Sequence, residues 1–388
     1  MSAPSSHIRR LYRRLRTCSA ILPVSLALLA GPAFADDPCE AAVWADEPLR
    51  DAPAIGAGPF APVGASSLDA DRQARLDAAL AEAAPAAPAI GAALLFADGS
   101  LWQGVRGAPE EAVFQIASVT KPMIAVIVLR LVEAGQLSLD TPVSDFYPAL
   151  PGSGAVTIDH LLRHTSGLHL DDFDVPEDRY TPRQAYLEAL AQTELAFCPG
   201  SQWQYSNVGY RVLGGIVEQV DGRPLAEAVA AHIAGPLGLD TLHMPVPGER
   251  REQRVPAYHE GEPAPATDYA SIGAAGGIAA RPADVAMFWR AVLNAELVSE
   301  ESRDLLFRDT AFMYGPGSIS YGRGAMIFHP DGSPVTVYGH TGQMTGFSAA
   351  LYYYREKGLI GAVIVNDRTV SSEDVLGALV GAAAADAP

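Results

Sequence analysis

Seven consecutive apolar residues, Met123 to Leu129, follow a serine and a lysine set three positions apart; Gln115 to Leu131 reads QIASVTKPMIAVIVLRL. No polar face interrupts the run, and a helix that is apolar all round belongs inside a protein. The chain must therefore build core on every side of this segment. With 388 residues, 49% of them hydrophobic and 19% charged, it has the material of a globular protein to do so. On such a helix Ser118 and Lys121, at i and i+3, share a face and their side chains touch. Burial disfavours the charged ammonium, which turns a lysine into a possible base. The chain holds only two lysines, Lys121 and Lys357, and arginine supplies nearly all other positive charge. An amine kept here, beside a serine, points to proton transfer. The competing reading is a serine N-cap followed by a solvated first-turn residue, since S-x-x-K arises often by chance. Pro122 removes an early backbone donor and predicts an irregular first turn.

The N-terminus has a different purpose. Five arginines between Arg9 and Arg16, an apolar stretch from Ala20 to Ala30, and Ala33-Phe34-Ala35 form the pattern of a secretory signal peptide, with cleavage after Ala35. The apolar stretch is short for a bilayer span; an uncleaved anchor is the alternative. The expected location is exported, periplasmic or secreted. Loss of residues 1–35 removes five Arg and no acids, taking the formal charge from −18 to −23. So acidic a chain argues against nucleic acid or anionic membrane as partners, and against stable membrane insertion after cleavage. Cys39 and Cys198 remain, and two cysteines in an exported protein permit one disulfide.

Residues 36–66, rich in Ala, Pro and Gly, read as an extended arm, and residues 67–388 as the folded domain. Leu68 to Ala84 suits an amphipathic helix. Ile90 to Phe96 and Leu101 to Val105 read as a hairpin about Asp98-Gly99. Helical period marks Pro182 to Leu195, Val208 to Val220, Ala226 to Ala234 and a segment opened by Arg281-Pro282 through Leu293. The acidic stretch Asp171 to Asp178 lacks the glycine and spacing of a calcium loop and reads as solvated. Val335 to Tyr338, Phe347 to Tyr354 and Leu359 to Asn366 read as strands, and Ser372 to Ala385 as a closing helix. The expected class is α+β: a mixed antiparallel sheet built from N- and C-terminal strands, flanked by helices, with an inserted mainly helical lobe.

Three further stretches join ASVTK: LLRHTSGL at Leu161 to Leu168, Tyr205-Ser206-Asn207, and Tyr338-Gly339-His340-Thr341-Gly342-Gln343 just before an expected strand. With GAAGG at Gly273 to Gly277 also in order, the chain from about Ile90 to about Asp367 resembles the serine β-lactamase and D-alanyl-D-alanine peptidase superfamily. The match is to the branch of class C β-lactamases, carboxypeptidases, D-amino-acid peptidases and related esterases. Taken singly, Tyr205 and Asn207 read as loop residues, His340 as a structural histidine and Thr341-Gly342 as a bulge.

The resemblance implies a Ser118 nucleophile that forms an acyl-enzyme. It implies proton handling by Lys121 and Tyr205, with the division between them open. Asn207 would grip a substrate amide and orient Lys121, and Thr341, Gly342 and Gln343 would line the substrate. The N–H groups of Ser118 and Gln343 would form an oxyanion hole. His164 is expected to be structural. His340 stands where many β-lactamases carry lysine; unperturbed, it would be a cation mainly below about pH 6.5. That leaves the group holding a substrate carboxylate open, with Arg323 a candidate. No metal motif appears, and no cofactor is expected. The expected activity is D,D-carboxypeptidase-like or D-amino-acid peptidase-like. The alternatives are an esterase, a weak β-lactamase, or a sensor that acylates and stalls.

Overall fold

Alternation along one strand decides the layering. In Leu359–Val365, the side chains of Ile360, Ala362 and Ile364 join one buried apolar cluster, while Leu359, Val363 and Val365 join another. A strand apolar at every position needs cover on both faces. The computed structural model describes residue 39 and residues 43–56, 58–169, 180–249, 254–265, 267–313, 319–328 and 336–384. The leader reading and the acidic stretch Asp171 to Asp178 lie outside the described residues.

Leu359–Val365 is third in an eight-stranded antiparallel sheet. The order is Leu101–Arg106, Ile90–Phe96, Leu359–Val365, Phe347–Tyr354, Val337–Met344, Met326–Phe328, Ile319–Tyr321, Ala311–Phe312. Strands from the two ends of the chain thus share one sheet, as expected. Helices Ala70–Glu82 and Ser372–Ala384 cover one face through Leu76, Leu80, Val375, Leu376 and Leu379. The opposite cluster takes in Pro282–Leu293, with Phe288 and Trp289 buried, and helix Thr120–Glu133. That last helix is buried at every position from Thr120 to Leu129, each large apolar side chain contributing about 1.5–3 kcal/mol of burial free energy.

Several boundaries move. The helix read from Pro182 to Leu195 covers Arg183–Leu190, and the one read over Ala226 to Ala234 runs as Leu225–Val229 and then a π-helical turn, Ala230–Ala234. Pro122 disturbs little, because it falls in the first turn of Thr120–Glu133, where backbone N–H groups lack intrahelical partners anyway. The irregular piece lies one step earlier, as a 3₁₀ turn over Ala117–Val119. The segment around His340, expected to precede a strand, lies within one, Val337–Met344.

Residues 41–388 form one compact unit. Its first residues are extended along the body: Ala52 N–H donates to Phe307 O, the Tyr338 hydroxyl donates to Pro53 O at 2.6 Å, and Phe60 packs edge-on to Tyr353. Cys39 and Cys198 are both disulfide-bonded. Among the described residues, no helix is long and apolar enough to cross a membrane.

Candidate active site

Ser118 is delivered by a strained turn. Ala117 takes φ +49°, in the left-handed region, which costs a residue with a Cβ about 1–2 kcal/mol. Ser118 is no N-cap: Val119 occupies that position, without a side-chain capping bond. The Ser118 hydroxyl instead meets Lys121, whose Nζ donates to Ser118 Oγ at 3.0 Å, to Asn207 Oδ1 at 2.9 Å and to Ala275 O at 2.6 Å. An ammonium carries three hydrogens, so three acceptors saturate it. Lys121 is fully buried, and a buried charge is tolerable only with such partners. The Ala275 carbonyl comes from the glycine-rich stretch seen in the sequence.

Tyr205 and Asn207 flank one helix start. Ser206 caps helix Asn207–Asp221: its Oγ accepts from Gly209 N–H and donates to Leu168 O, each at 3.2 Å. The Ser206 N–H donates to His164 Nδ1 at 3.1 Å, and the His164 ring lies against Tyr205 with centroids 4.3 Å apart. Burial first, then the charge of Lys121, holds the His164 pKa well below its ordinary value. His164 is structural, as expected: it braces the corner that carries Tyr205 and Asn207. Lys121 Nζ lies 4.8 Å from the Tyr205 ring centroid, close enough for a cation–π attraction.

His340 corrects one expectation. It is fully buried, and its Nδ1 lies 2.5 Å from Thr341 O. A carbonyl can only accept, so the ring proton is on Nδ1, and Nε2 accepts from the Tyr321 hydroxyl at 3.1 Å. Burial, followed by the charge of Lys121, lowers its pKa to about 3. His340 is therefore neutral at ordinary pH and is not the acid-dependent cation that its unperturbed chemistry suggested.

The strand Val337–Met344 forms the facing wall. Met326–Phe328 pairs with it only at Val337, Tyr338 and Gly339, leaving His340–Met344 without a strand on that side among the described residues. The Ser118 turn packs on it at Gly342, where a Cβ would lie 2.6 Å from Ile116 O and 3.0 Å from Ser118 N. Glycine there permits the close approach that brings the Ser118 and Gln343 backbones together. Thr341 Oγ1 is turned to Met326 Sδ at 3.6 Å.

Ser118, Asn207 and Gln343 line a cleft of about 210 Å³, together with Arg211, Thr345 and Arg368. Arg323 does not line it. That arginine is buried, with Nε donating to Asp159 Oδ1 at 2.5 Å and Nη1 donating to the Leu305 and Arg308 carbonyls. Arg211 and Arg368 went unremarked in the sequence. The available signal for Arg211 was its place four residues after Asn207, on the same helical face.

A serine hydroxyl bonded to a buried lysine, beneath an open strand on a helix-flanked antiparallel sheet, defines a serine hydrolase. The chain belongs to the Beta-lactamase family, whose model matches residues 72–385. It is 31% identical over 331 residues to penicillin-binding protein 4 of Amycolatopsis lactamdurans, covering 75% of this chain and 86% of that protein. It is 42% identical over 183 residues to esterase EstB of Burkholderia gladioli, a match spanning 40% of this chain and 44% of the relative. Among solved structures it resembles a D-stereospecific amidohydrolase from Streptomyces sp., with a TM-score of 0.69, 27% identity and coverage of 80% and 97% of the two chains.

Proposed function

We propose that this protein is an exported serine hydrolase that works through an acyl-enzyme on Ser118 and acts as a D,D-carboxypeptidase-like or D-amino-acid peptidase. The observation that carries the reading is the Lys121 ammonium bridging Ser118 Oγ and Asn207 Oδ1. Ser118 Oγ attacks the substrate carbonyl carbon, and its proton passes to the Lys121–Tyr205 pair. The pair receives it while holding one proton fewer than ammonium plus phenol, either as a Tyr205 phenolate beside the Lys121 ammonium or as a Lys121 amine beside the phenol. The N–H groups of Ser118 and Gln343 receive the oxyanion. The pair then returns the proton to the leaving amine, and water hydrolyses the ester on Ser118. Asn207 steadies Lys121 and grips the substrate amide, while His340, neutral, supports the strand. Peptide chemistry is favoured by the penicillin-binding relative, whose similarity spans 75% of this chain, and by likeness to an amidohydrolase. Export rests on the basic and apolar N-terminal pattern.

An esterase is the second reading, favoured by the 42% identity to EstB. Intact-mass spectrometry of the mature protein with a penicillin, a D-Ala-D-Ala peptide and a p-nitrophenyl ester separates them. Peptide turnover with a persistent penicillin adduct, absent in Ser118→Ala, is the expected result. Ester turnover with no penicillin adduct selects the esterase. A single burst equal to the enzyme, without turnover, selects a sensor. Undiminished turnover in Ser118→Ala would falsify the mechanism.

A further inference from the structure

The hydroxyl of Tyr321 reaches the strand that faces Ser118 by way of His340. Tyr321 ends strand Ile319–Tyr321 and is fully buried. The turn that follows is seated from two sides. A Cβ at Gly324 would lie 2.7 Å from Ala125 Cβ and 3.2 Å from Lys121 O, and Arg323 is bound to Asp159. The phenol ring is packed among His164, Trp203 and Tyr205, with centroids 4.5, 6.0 and 6.0 Å away. Burial holds its pKa well above the ordinary value, so the hydroxyl keeps the one proton it has to give.

That proton decides where the hydrogen of His340 lies. A neutral imidazole has one N–H and one bare nitrogen, and a donor at one nitrogen sends the hydrogen to the other. Tyr321 donates to Nε2 at 3.1 Å, and Nδ1–H meets Thr341 O at 2.5 Å. Thr341 and Gln343 stand two apart on strand Val337–Met344 and direct their N–H and C=O groups to the same edge. On the acyl-enzyme reading the Gln343 N–H meets the oxyanion, so the Thr341 carbonyl borders the same space with the wrong sign of charge. The next residue is Gly342, which has no Cβ to resist rotation of the peptide between them. The His340 N–H restrains that peptide and draws on its oxygen.

We propose that Tyr321 is a positioning residue for acyl transfer: its hydroxyl fixes His340 with the hydrogen on Nδ1, and that hydrogen holds the Thr341 carbonyl, and with it the Gln343 amide, in register for the oxyanion. The assignment rests on the acyl-enzyme at Ser118 and adds a residue to its support. With the hydrogen on Nε2, a bare Nδ1 would face a carbonyl oxygen, two acceptors in contact.

Three substitutions test it with p-nitrophenyl acetate, whose kcat/KM reports acylation. Tyr321→Phe keeps the ring and its packing and loses only the hydroxyl. Its kcat/KM is expected to fall about tenfold to a hundredfold, short of the roughly 10²–10³ lost with an oxyanion donor itself. His340→Asn places an amide N–H where Nδ1 stands, with no tautomer to choose, and should retain most of the activity. His340→Gln places its amide where Nε2 stands and should fall at least as far as Tyr321→Phe. Adding Tyr321→Phe to His340→Asn should then cost less than about threefold, because both changes act through one link. ¹⁵N spectra of histidine-labelled protein, with His340 assigned by its loss in His340→Gln, should place the wild-type hydrogen on Nδ1 and move it towards Nε2 in Tyr321→Phe. A wild-type hydrogen on Nε2 overturns the assignment, as does a Tyr321→Phe enzyme acylating at the wild-type rate. An equal loss from Tyr321→Phe in both backgrounds, or an unmoved His340 hydrogen, makes the tyrosine merely structural and also overturns it. If Tyr321→Phe folds poorly, the wild-type spectrum and the order at position 340 decide, and Gln equal to or above Asn overturns the assignment. All these outcomes leave the acyl-enzyme standing, whereas turnover undiminished in Ser118→Ala overturns both.

Discussion

Lys121 has three hydrogens and three oxygen acceptors, so its removal acts on both folding and chemistry. Lys121→Met keeps much of the volume but leaves the Ala275 carbonyl and Asn207 Oδ1 without this donor, at about 1–3 kcal/mol for each group stranded in the interior. Its expected signature is a lowered denaturation midpoint together with loss of the acylation burst. Tyr205→Phe should separate the two effects. It retains the ring against His164 and over the ammonium but loses the hydroxyl, so Tm should hold while acylation slows about 10²–10⁴-fold, the usual worth of positioned proton transfer. A Tyr205→Phe enzyme acylating at the wild-type rate would remove Tyr205 from the mechanism. Ser118 and Lys121 were legible because a spacing of three translates directly into a shared face. The charge state of His340 was not, since it depends on burial by distant segments. Nor were Arg211 and Arg368, because which arginines come to line a cleft is decided by tertiary neighbours.

At the scale of elements, Val337–Met344 shows how a strand can escape a propensity reading. Its two glycines, Gly339 and Gly342, look like turn residues, yet each marks a close approach. A Cβ at Gly339 would lie 1.8 Å from Leu351 O on the adjoining strand, whereas at Gly342 it would press on Ile116 O and Ser118 N. The two sites should therefore fail differently. Gly339→Ala is expected to destabilise the sheet and show as a lower Tm. Gly342→Ala should fold but misplace the proposed oxyanion donors, and a shift near 1 Å can cost about 10²-fold in rate. Kinetics and thermal melts on the pair would check this; equal Tm losses with unchanged kcat in Gly342→Ala would contradict it. Long periodic elements such as Pro282–Leu293 and the Asp98-Gly99 hairpin were readable in the sequence. The strands Ala311–Phe312, Ile319–Tyr321 and Met326–Phe328 were not, as two or three residues carry no period.

For the molecule as a whole, burial of neutral histidines links stability to pH. His340, lowered to about 3, and His164, lowered well below its ordinary value, take up protons more readily when unfolded. Between the unfolded value near 6.5 and the folded value, the unfolded chain binds more protons, so stability is complete above that window and is lost as pH falls through it. Melts from pH 7 down to pH 4 should show a falling Tm, with a shallower slope in His340→Gln. An equal slope would assign the acid loss to other groups. The arrangement of the sheet also has a consequence in time. Ile90–Phe96 pairs with Leu359–Val365, and the turn carrying Ser118 packs on Gly342. A chain emerging from the ribosome thus exposes its nucleophile and lysine more than two hundred residues before the amide of Gln343 is made. Until those last strands arrive it holds a serine and a lysine but, on the proposed mechanism, no place for an oxyanion, and that reading makes the nascent polypeptide hydrolytically silent.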